Sequence, residues 1–221
     1  MNSHLKKIII LQSLFLIGCG AQNLVIDTFI PTPLVAKNEN ITATLMFDEK
    51  LQNFIFIPEE LQKMPEETGK TFKENALIKA SYVSEYFQMP ALADDSGLEV
   101  DALNGDPGIH SARYSSSGSD LDNCKKLLSN MQGITKESRT ARFKCCLLGF
   151  YQGETIVGEG TLEGEIAEEF KGENGFGYDP IFLVPEYKLH LAEMEKEEKN
   201  KISHRFKAFE VITGILPSLI N

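Results

Sequence analysis

Residues 94–97 read Asp94-Asp95-Ser96-Gly97, two adjacent carboxylates between the apolar run Ala91-Leu92-Ala93 and a glycine. Ala91 to Ala93 read as the end of a buried strand. Neighbouring carboxylates repel, and burying either is costly unless a cation lies opposite. Two readings stand side by side: an acidic turn in solvent, or carboxylates that hold a metal ion. A second acidic pair, Glu66-Glu67, precedes Thr68-Gly69-Lys70-Thr71. Negative charge ahead of a helix is favourable in itself, because it faces the positive end of the helix dipole. Magnesium accepts one or two carboxylates plus substrate phosphates. Glu66 or Glu67 with Asp95 would satisfy it if the chain returns both segments to one spot.

Two further groups lie downstream. In "GENGFGYDPIF" (172–182), Gly175 and Gly177 bracket Phe176. Glycines let a backbone approach a ligand closely, and Phe176 or Tyr178 offers a flat face on which a base stacks. The plain alternative is a turn whose aromatics enter the core. In "EKNKISHRFKAF" (198–209), Lys199, Lys201, His204 and Arg205 sit before and at a helix start. The helix dipole disfavours cations there, so an anion or an electron-rich ligand is one explanation. Solvated charge on a loop is the other.

The elements that must position these residues follow from periodicity. "TFKENALIKASYVSEYF" (71–87) predicts a helix capped by Thr71, with Glu74 completing a capping box. Phe72, Ala76, Ala80, Val83 and Phe87 form its apolar stripe. Lys79 falls on the edge of that stripe, where it snorkels to solvent or faces a polar pocket, snorkelling being the commoner arrangement. Residues 120–131 predict a second helix with Leu121, Cys124, Leu128 and Met131 inward. Residues 140–151 and 154–166 predict two strands joined at Gln152-Gly153, and 180–184 a short buried strand. The charge run 193–201 reads as a solvated helix face. Ser203 caps a last helix with Phe206, Phe209, Ile212 and Leu216 inward. Helices mixed with hairpins imply an α/β fold, a mixed sheet with helices on its faces.

The chain has 221 residues, 42% of them apolar, and a net charge of −10. That is enough to bury a core without disulfides, and an acidic chain has no general attraction to duplex DNA. An anionic substrate requires a local cationic pocket or a metal. Of the cysteines Cys19, Cys124, Cys145 and Cys146, the last three read as reduced, packed thiols, which fits a reducing compartment. Lys6-Lys7 followed by an apolar run and Leu16-Ile17-Gly18-Cys19 has the layout of a lipoprotein leader, so anchoring through Cys19 stands as the alternative to a cytoplasmic protein. The other reading of this stretch is a first strand, Lys7 to Leu11. Residues 1–60 lack clear periodicity and form a divergent segment, whereas 61–221 hold the chemistry.

The stretches "EETGKTFKENALIKA", "LADDSGLEVDALNGDPGIHSARYS", "ENGFGYDPIF" and "EEKNKISHR" occur in this order. Residues 65 to 217 thereby resemble the inosine/xanthosine triphosphate pyrophosphatases, which remove non-standard purine nucleotides from the pool. The resemblance implies hydrolysis of ITP, dITP and XTP to the monophosphate and pyrophosphate. It also implies Mg2+ as cofactor, a homodimer, no nucleic-acid or membrane partner, and an elongated mixed sheet in two lobes around a central cleft. By motif, Asp95 is the general base and a magnesium ligand, and Glu66 the second acidic ligand, with Glu67 its close alternative. Ser96 is a substrate contact. Phe176, Gly177, Tyr178 and Asp179 are the base-binding loop, Lys199, His204 and Arg205 contact the base, and Lys79 is a phosphate-side lysine.

One departure bears on activity. The family opens with a strand followed at once by a Thr/Ser-x-Asn-x-x-Lys phosphate loop, but here "KIIIL" is followed by "QSLFLIGCGAQ". Residues 12–57 are therefore a divergent or out-of-frame segment, and a confirmed uninterrupted reading frame around codon 12 would remove the second of these. A homologue without that loop, impaired in catalysis and only binding nucleotide or a partner, is the alternative function.

Overall fold

The computed structural model describes residues 65–215, and ahead of them the backbone of three strands: β1 (Ile9–Leu11), β2 (Leu34–Asn38) and β3 (Ile41–Leu45). β2 and β3 form a separate antiparallel pair. The main elements follow as α1 (Phe72–Phe87), β4 (Ala91–Val100), α2 (Asp120–Asn130), β5 (Thr140–Tyr151), β6 (Glu154–Ile166), β7 (Phe182–Val184), β8 (Leu189–His190), α3 (Lys196–Ile202) and α4 (His204–Ile215). One six-stranded sheet takes the order β1-β4-β5-β6-β7-β8. β1 runs parallel to β4, and the remaining neighbours are antiparallel. The expected mixed sheet with flanking helices is the observed architecture, and the β5–β6 hairpin turns at Gln152 and Gly153 as the pattern predicts.

Alternation along β4 decides what each helix covers. Ala91 and Ala93 face α1 and pack with its Ala76, Ala80 and Val83 and with Leu148 of β5. Leu92 faces the other way, to Ala208 and Ile212 of α4, beside Cys145, Leu147 and Ile156. The far half of the sheet is closed by a third cluster in which Leu127 of α2 and Met131 just after it meet Leu98, Phe143, Leu162 and Phe182. Small side chains on α1 bring that helix close over the sheet, and this proximity determines where Lys79 and Asn75 end up.

Several sequence expectations shift. Ala91 to Ala93 begin a strand instead of ending one: β4 runs straight through both aspartates to Val100. β1 starts at Ile9, two residues later than expected, and pairs with Ala91 to Ala93. Among the described residues no strand pairs with that edge of β4 between Asp94 and Leu98; the Leu98 amide donates to Ser111 Oγ at 2.9 Å, and Glu99 bridges to Pro107. Of the residues expected inward on α2, Cys124 and Met131 are buried and Leu128 packs partly buried against the same cluster, but Leu127 is buried too and Leu121 is exposed. Ser119 supplies the cap by accepting from the Asp122 amide, so Leu121 falls in the first turn on the solvent side. β7 is confined to Phe182–Val184, because Asp179–Ile181 turn as a single 3-10 segment. Ser203 both ends α3 and caps α4, its Oγ accepting from the Phe206 amide at 3.1 Å. Leu216 and the stretch Leu16 to Cys19 lie outside the described residues.

Candidate active site

α1 begins at the predicted cap, with Thr71 Oγ1 accepting from the Glu74 amide, but the Glu74 carboxylate accepts from the Lys70 amide instead of completing the capping box at Thr71. This start fixes the phase of the helix. Lys79 is then directed inward: it is only 5% exposed and does not snorkel. Its ammonium lies 3.0 Å from Asp95 Oδ1 and 3.0 Å from Glu67 Oε1. A buried lysine requires compensation of this kind, since an unpaired buried charge costs several kcal/mol, roughly. Burial alone would lower the lysine pKa, but Asp95, Asp94 and Glu67 outweigh it and raise the pKa above the ordinary value. For Asp95 burial dominates and raises the carboxyl pKa despite Lys79 and Asn75. Glu67 is less enclosed; burial raises its pKa, but Lys79 and Arg113 together carry it below the usual carboxylate value.

The two acidic segments do come together, through Glu67. Glu66 is exposed, while Glu67 shares Lys79 with Asp95 and pairs with Arg113 Nη1 at 3.3 Å. Two carboxylates from separate segments thus converge on one point already occupied by a cationic group. Among the described residues no cluster of three or more His, Cys, Asp or Glu side chains could hold a metal. The protein offers two oxygen donors here, and magnesium commonly takes its other ligands from phosphates and water. The donor set fits that ion.

On the opposite face of β4, Asp94 Oδ2 accepts from Ser96 Oγ at 3.0 Å and from Arg205 Nε at 3.4 Å. These residues line a cavity of about 330 Å³ with Phe176, Lys199 and His204. Phe176 is 37% exposed, with the Lys199 ammonium 4.6 Å and the Arg205 guanidinium 5.8 Å from its ring centre. The rest of its loop is held from below. Tyr178 is buried and donates to the Ser111 carbonyl at 2.8 Å, so it braces the loop and offers no open face. Asp179 is buried, accepts from the Phe176 amide at 2.8 Å and pairs with Lys199. The Gly177 amide donates to Asp120 Oδ2 at 2.6 Å.

His204 is buried, stacked on Phe143 at 5.1 Å, and contacts Arg205 Nη1 through Nε2 at 3.3 Å. Burial, then Arg205, Lys199 and Lys207, hold its pKa well below the ordinary value, so the ring is neutral. A guanidinium only donates, so Nε2 is the acceptor and the ring proton resides on Nδ1. That Nδ1 is buried without a hydrogen-bond partner in the structure.

Sequence reasoning missed Asn75, Arg113 and Asp120. Asn75 was visible as a polar residue beside Ala76 on the buried face of α1, and Arg113 lies in "HSARYS". Asp120 gave no signal beyond an acidic helix start.

Comparison with known proteins identifies the family. Residues 36–214 match the Ham1 family. A dITP/XTP pyrophosphatase of Halalkalibacterium halodurans is 56% identical over 147 residues, 66% of this chain and 76% of that protein. The Ham1 protein structure from Staphylococcus aureus superposes with a TM-score of 0.68 at 44% identity, covering 72% of this chain and 83% of that one. A HAM1 protein structure from Coxiella burnetii gives 0.69 at 40% identity, covering 76% and 89%. The chain belongs to the Ham1 family.

Proposed function

We propose that the chain hydrolyses non-standard purine nucleoside triphosphates, ITP, dITP and XTP, to the monophosphate and pyrophosphate, within a catalytic domain of residues 61–221. The observation that carries this reading is the division of labour across β4. Asp95, Glu67 and Lys79 gather on one face, and a cavity with a flat ring and obligate donors lies on the other. The edge of β4 between Asp94 and Leu98 has no strand partner among the described residues. A nucleotide crossing that edge places its base beside Phe176 and its phosphates beside Asp95.

Asp95 orients a water and accepts its proton as the water oxygen bonds to the α-phosphorus. The bond from that phosphorus to the bridging oxygen breaks, and pyrophosphate departs with the electron pair. General-base assistance of this kind contributes about 10²–10⁴-fold. Lys79 lies where its charge offsets that of the phosphates. Glu67, in preference to Glu66, would join Asp95 in holding Mg2+, which when bound neutralises phosphate charge and acidifies a coordinated water. In the cavity, Lys199, Arg205 and the Nδ1–H of His204 are donors. A 6-oxo group accepts from them, whereas the 6-amino group of adenine leaves them unpaired, and a site built this way rejects the wrong purine strongly. Ser96 is a further substrate contact, while Tyr178 and Asp179 hold the Phe176-Gly177 turn.

The resemblance to the family implies a homodimer, and the buried free thiols fit a reducing compartment such as the cytoplasm. Among the described residues no helix is long and apolar enough to cross a membrane. Purified protein supplied with Mg2+ and ITP, dITP, XTP, ATP or GTP should release pyrophosphate from the first three and little from the last two. Nucleotide binding without turnover would instead assign an impaired, binding-only homologue. Light scattering should give twice the chain mass, and a chain-mass particle would remove the dimer.

A further inference from the structure

We infer that Asn75 is a positioning residue that locks Asp95 and the Glu66–Gly69 segment together, so that Glu67 and Asp95 are presented to one cation. The inference rests on the proposed function above. Asn75 is fully buried. Its Nδ2 donates to Asp95 Oδ2 at 3.1 Å, and its Oδ1 accepts from the Gly69 amide at 2.9 Å. Both ends of the amide are committed, and its orientation is fixed chemically: a backbone N–H only donates and an ionised carboxylate only accepts. One side chain therefore ties the strand that carries Asp95 to the loop that carries Glu67, two residues before Gly69.

The placement is not what packing alone would select. Asparagine is a mediocre helix former because its side chain competes for the backbone, and Ala76 and Ala80 fill the neighbouring buried positions of α1. Asn75 and Lys79 are four residues apart and share a helix face. Together they grip both oxygens of Asp95, Asn75 on Oδ2 and Lys79 on Oδ1. The two grips differ in charge. An arriving cation competes with the ammonium at Oδ1, but a neutral amide does not repel it. Asn75 thus fixes the Asp95 carboxylate through Oδ2 without adding a charge that would repel a cation Asp95 would help to hold. Gly69 fits because its backbone abuts this junction: a Cβ there would lie 2.6 Å from Asn75 Oδ1 and 2.7 Å from Glu74 Cβ.

The junction can be struck from either end, with Asn75→Ala, Asn75→Leu or Gly69→Ala in the full chain. Each variant is scored for thermal midpoint, for kcat and KM with dITP against Mg2+ concentration, and for Mn2+ affinity by electron paramagnetic resonance with a non-hydrolysable α,β-imido inosine triphosphate. Loss of a group that orients a metal ligand typically costs about 10–100-fold in affinity or activity. The expected pattern is a loss of that size in kcat and in Mn2+ affinity, with KM changed less than about threefold and the same signature from both ends. Folded variants that retain wild-type Mn2+ affinity and kcat, or that lose only thermal stability, would overturn the inference. Should Asn75→Ala fail to fold, Gly69→Ala, which keeps the amide, decides. If the wild-type chain binds Mn2+ and nucleotide but does not hydrolyse dITP, the proposed function falls while the Mn2+ comparison still decides the role of Asn75.

Discussion

Asp94 and Asp95 are consecutive in one strand, yet their carboxylates serve opposite faces of the sheet. Asp94 lies 3.4 Å from Arg205 Nε, and Asp95 lies 3.0 Å from Lys79 Nζ. Strand alternation requires this separation, and it resolves how two adjacent negative charges can both be buried: each has a cation of its own. The pair also links two tasks at one point of the chain, base selection on the α4 side and phosphate chemistry on the α1 side.

Substituting the two residues should therefore give different defects. Asp95→Asn lowers kcat for dITP by about 10³-fold or more while the protein remains folded, as expected for loss of a general base and metal ligand. Asp94→Asn leaves the chemistry in place but loosens Arg205, and the preference for dITP over dATP in kcat/KM falls roughly tenfold, the size of one weakened charge-assisted hydrogen bond. Steady-state kinetics with both substrates and circular dichroism check this. Identical defects in the two variants would contradict the division between faces.

The acidic loop yields a similar contrast. Glu67→Gln should reduce kcat by about 10²-fold, equal to about 2.7 kcal/mol of transition-state stabilisation, and should raise the Mg2+ concentration needed for half-maximal rate. Glu66→Gln should change either quantity by less than about threefold, because that side chain is exposed while Glu67 pairs with Lys79 and Arg113. A Mg2+ titration of both variants decides between them.

Much of this site was legible in the sequence. The strand–helix–strand order, the N-cap at Thr71 and the position of the β5–β6 hairpin follow from local chemistry, and the structure agrees; the Glu74 carboxylate reaches the Lys70 amide and not that of Thr71, so the capping box is only half formed. Which of Glu66 and Glu67 reaches Lys79 did not follow, because it depends on the path of a loop whose Gly69 amide bonds to Asn75 of another element. Lys79 was visible as a misfit on an apolar stripe, but its burial depends on the small Ala76 and Ala80 drawing α1 close over β4. Leu121 was misplaced because the phase of α2 is set by the cap at Ser119, which leaves Leu121 on the solvent side while Leu127 and Leu128 both reach the core. The continuation of β4 through Asp94 and Asp95 could not be inferred from polarity, since it needs cations supplied by α1 and α4 from distant parts of the chain.

Stability should depend on pH through His204. Its folded pKa lies well below the ordinary 6.5. Above pH 6.5 the ring is neutral both folded and unfolded, and its contribution is fully present. Below pH 6.5 the unfolded chain takes up a proton that the folded chain refuses, so stability falls by about 1.4 kcal/mol per pH unit until the folded pKa is reached. Urea unfolding from pH 8 to 5.5 measures this slope, and His204→Asn should flatten it by that amount.

The thiols should be inert in the native state. Burial pushes Cys124 and Cys145 up to about 12 and Cys146 up to about 11, and the thiolate is the reactive form. In a Cys19→Ser background, Ellman's reagent at pH 8 should label none of the three free cysteines before unfolding and all three in urea.

The attack on the α-phosphorus is tested most directly by turnover of dITP in ¹⁸O-enriched water with Mg2+ present, followed by mass spectrometry of both products. One ¹⁸O atom should appear in each monophosphate and none in the pyrophosphate. Label in the pyrophosphate, or release of orthophosphate in its place, would contradict the placement of Asp95 beside the α-phosphorus.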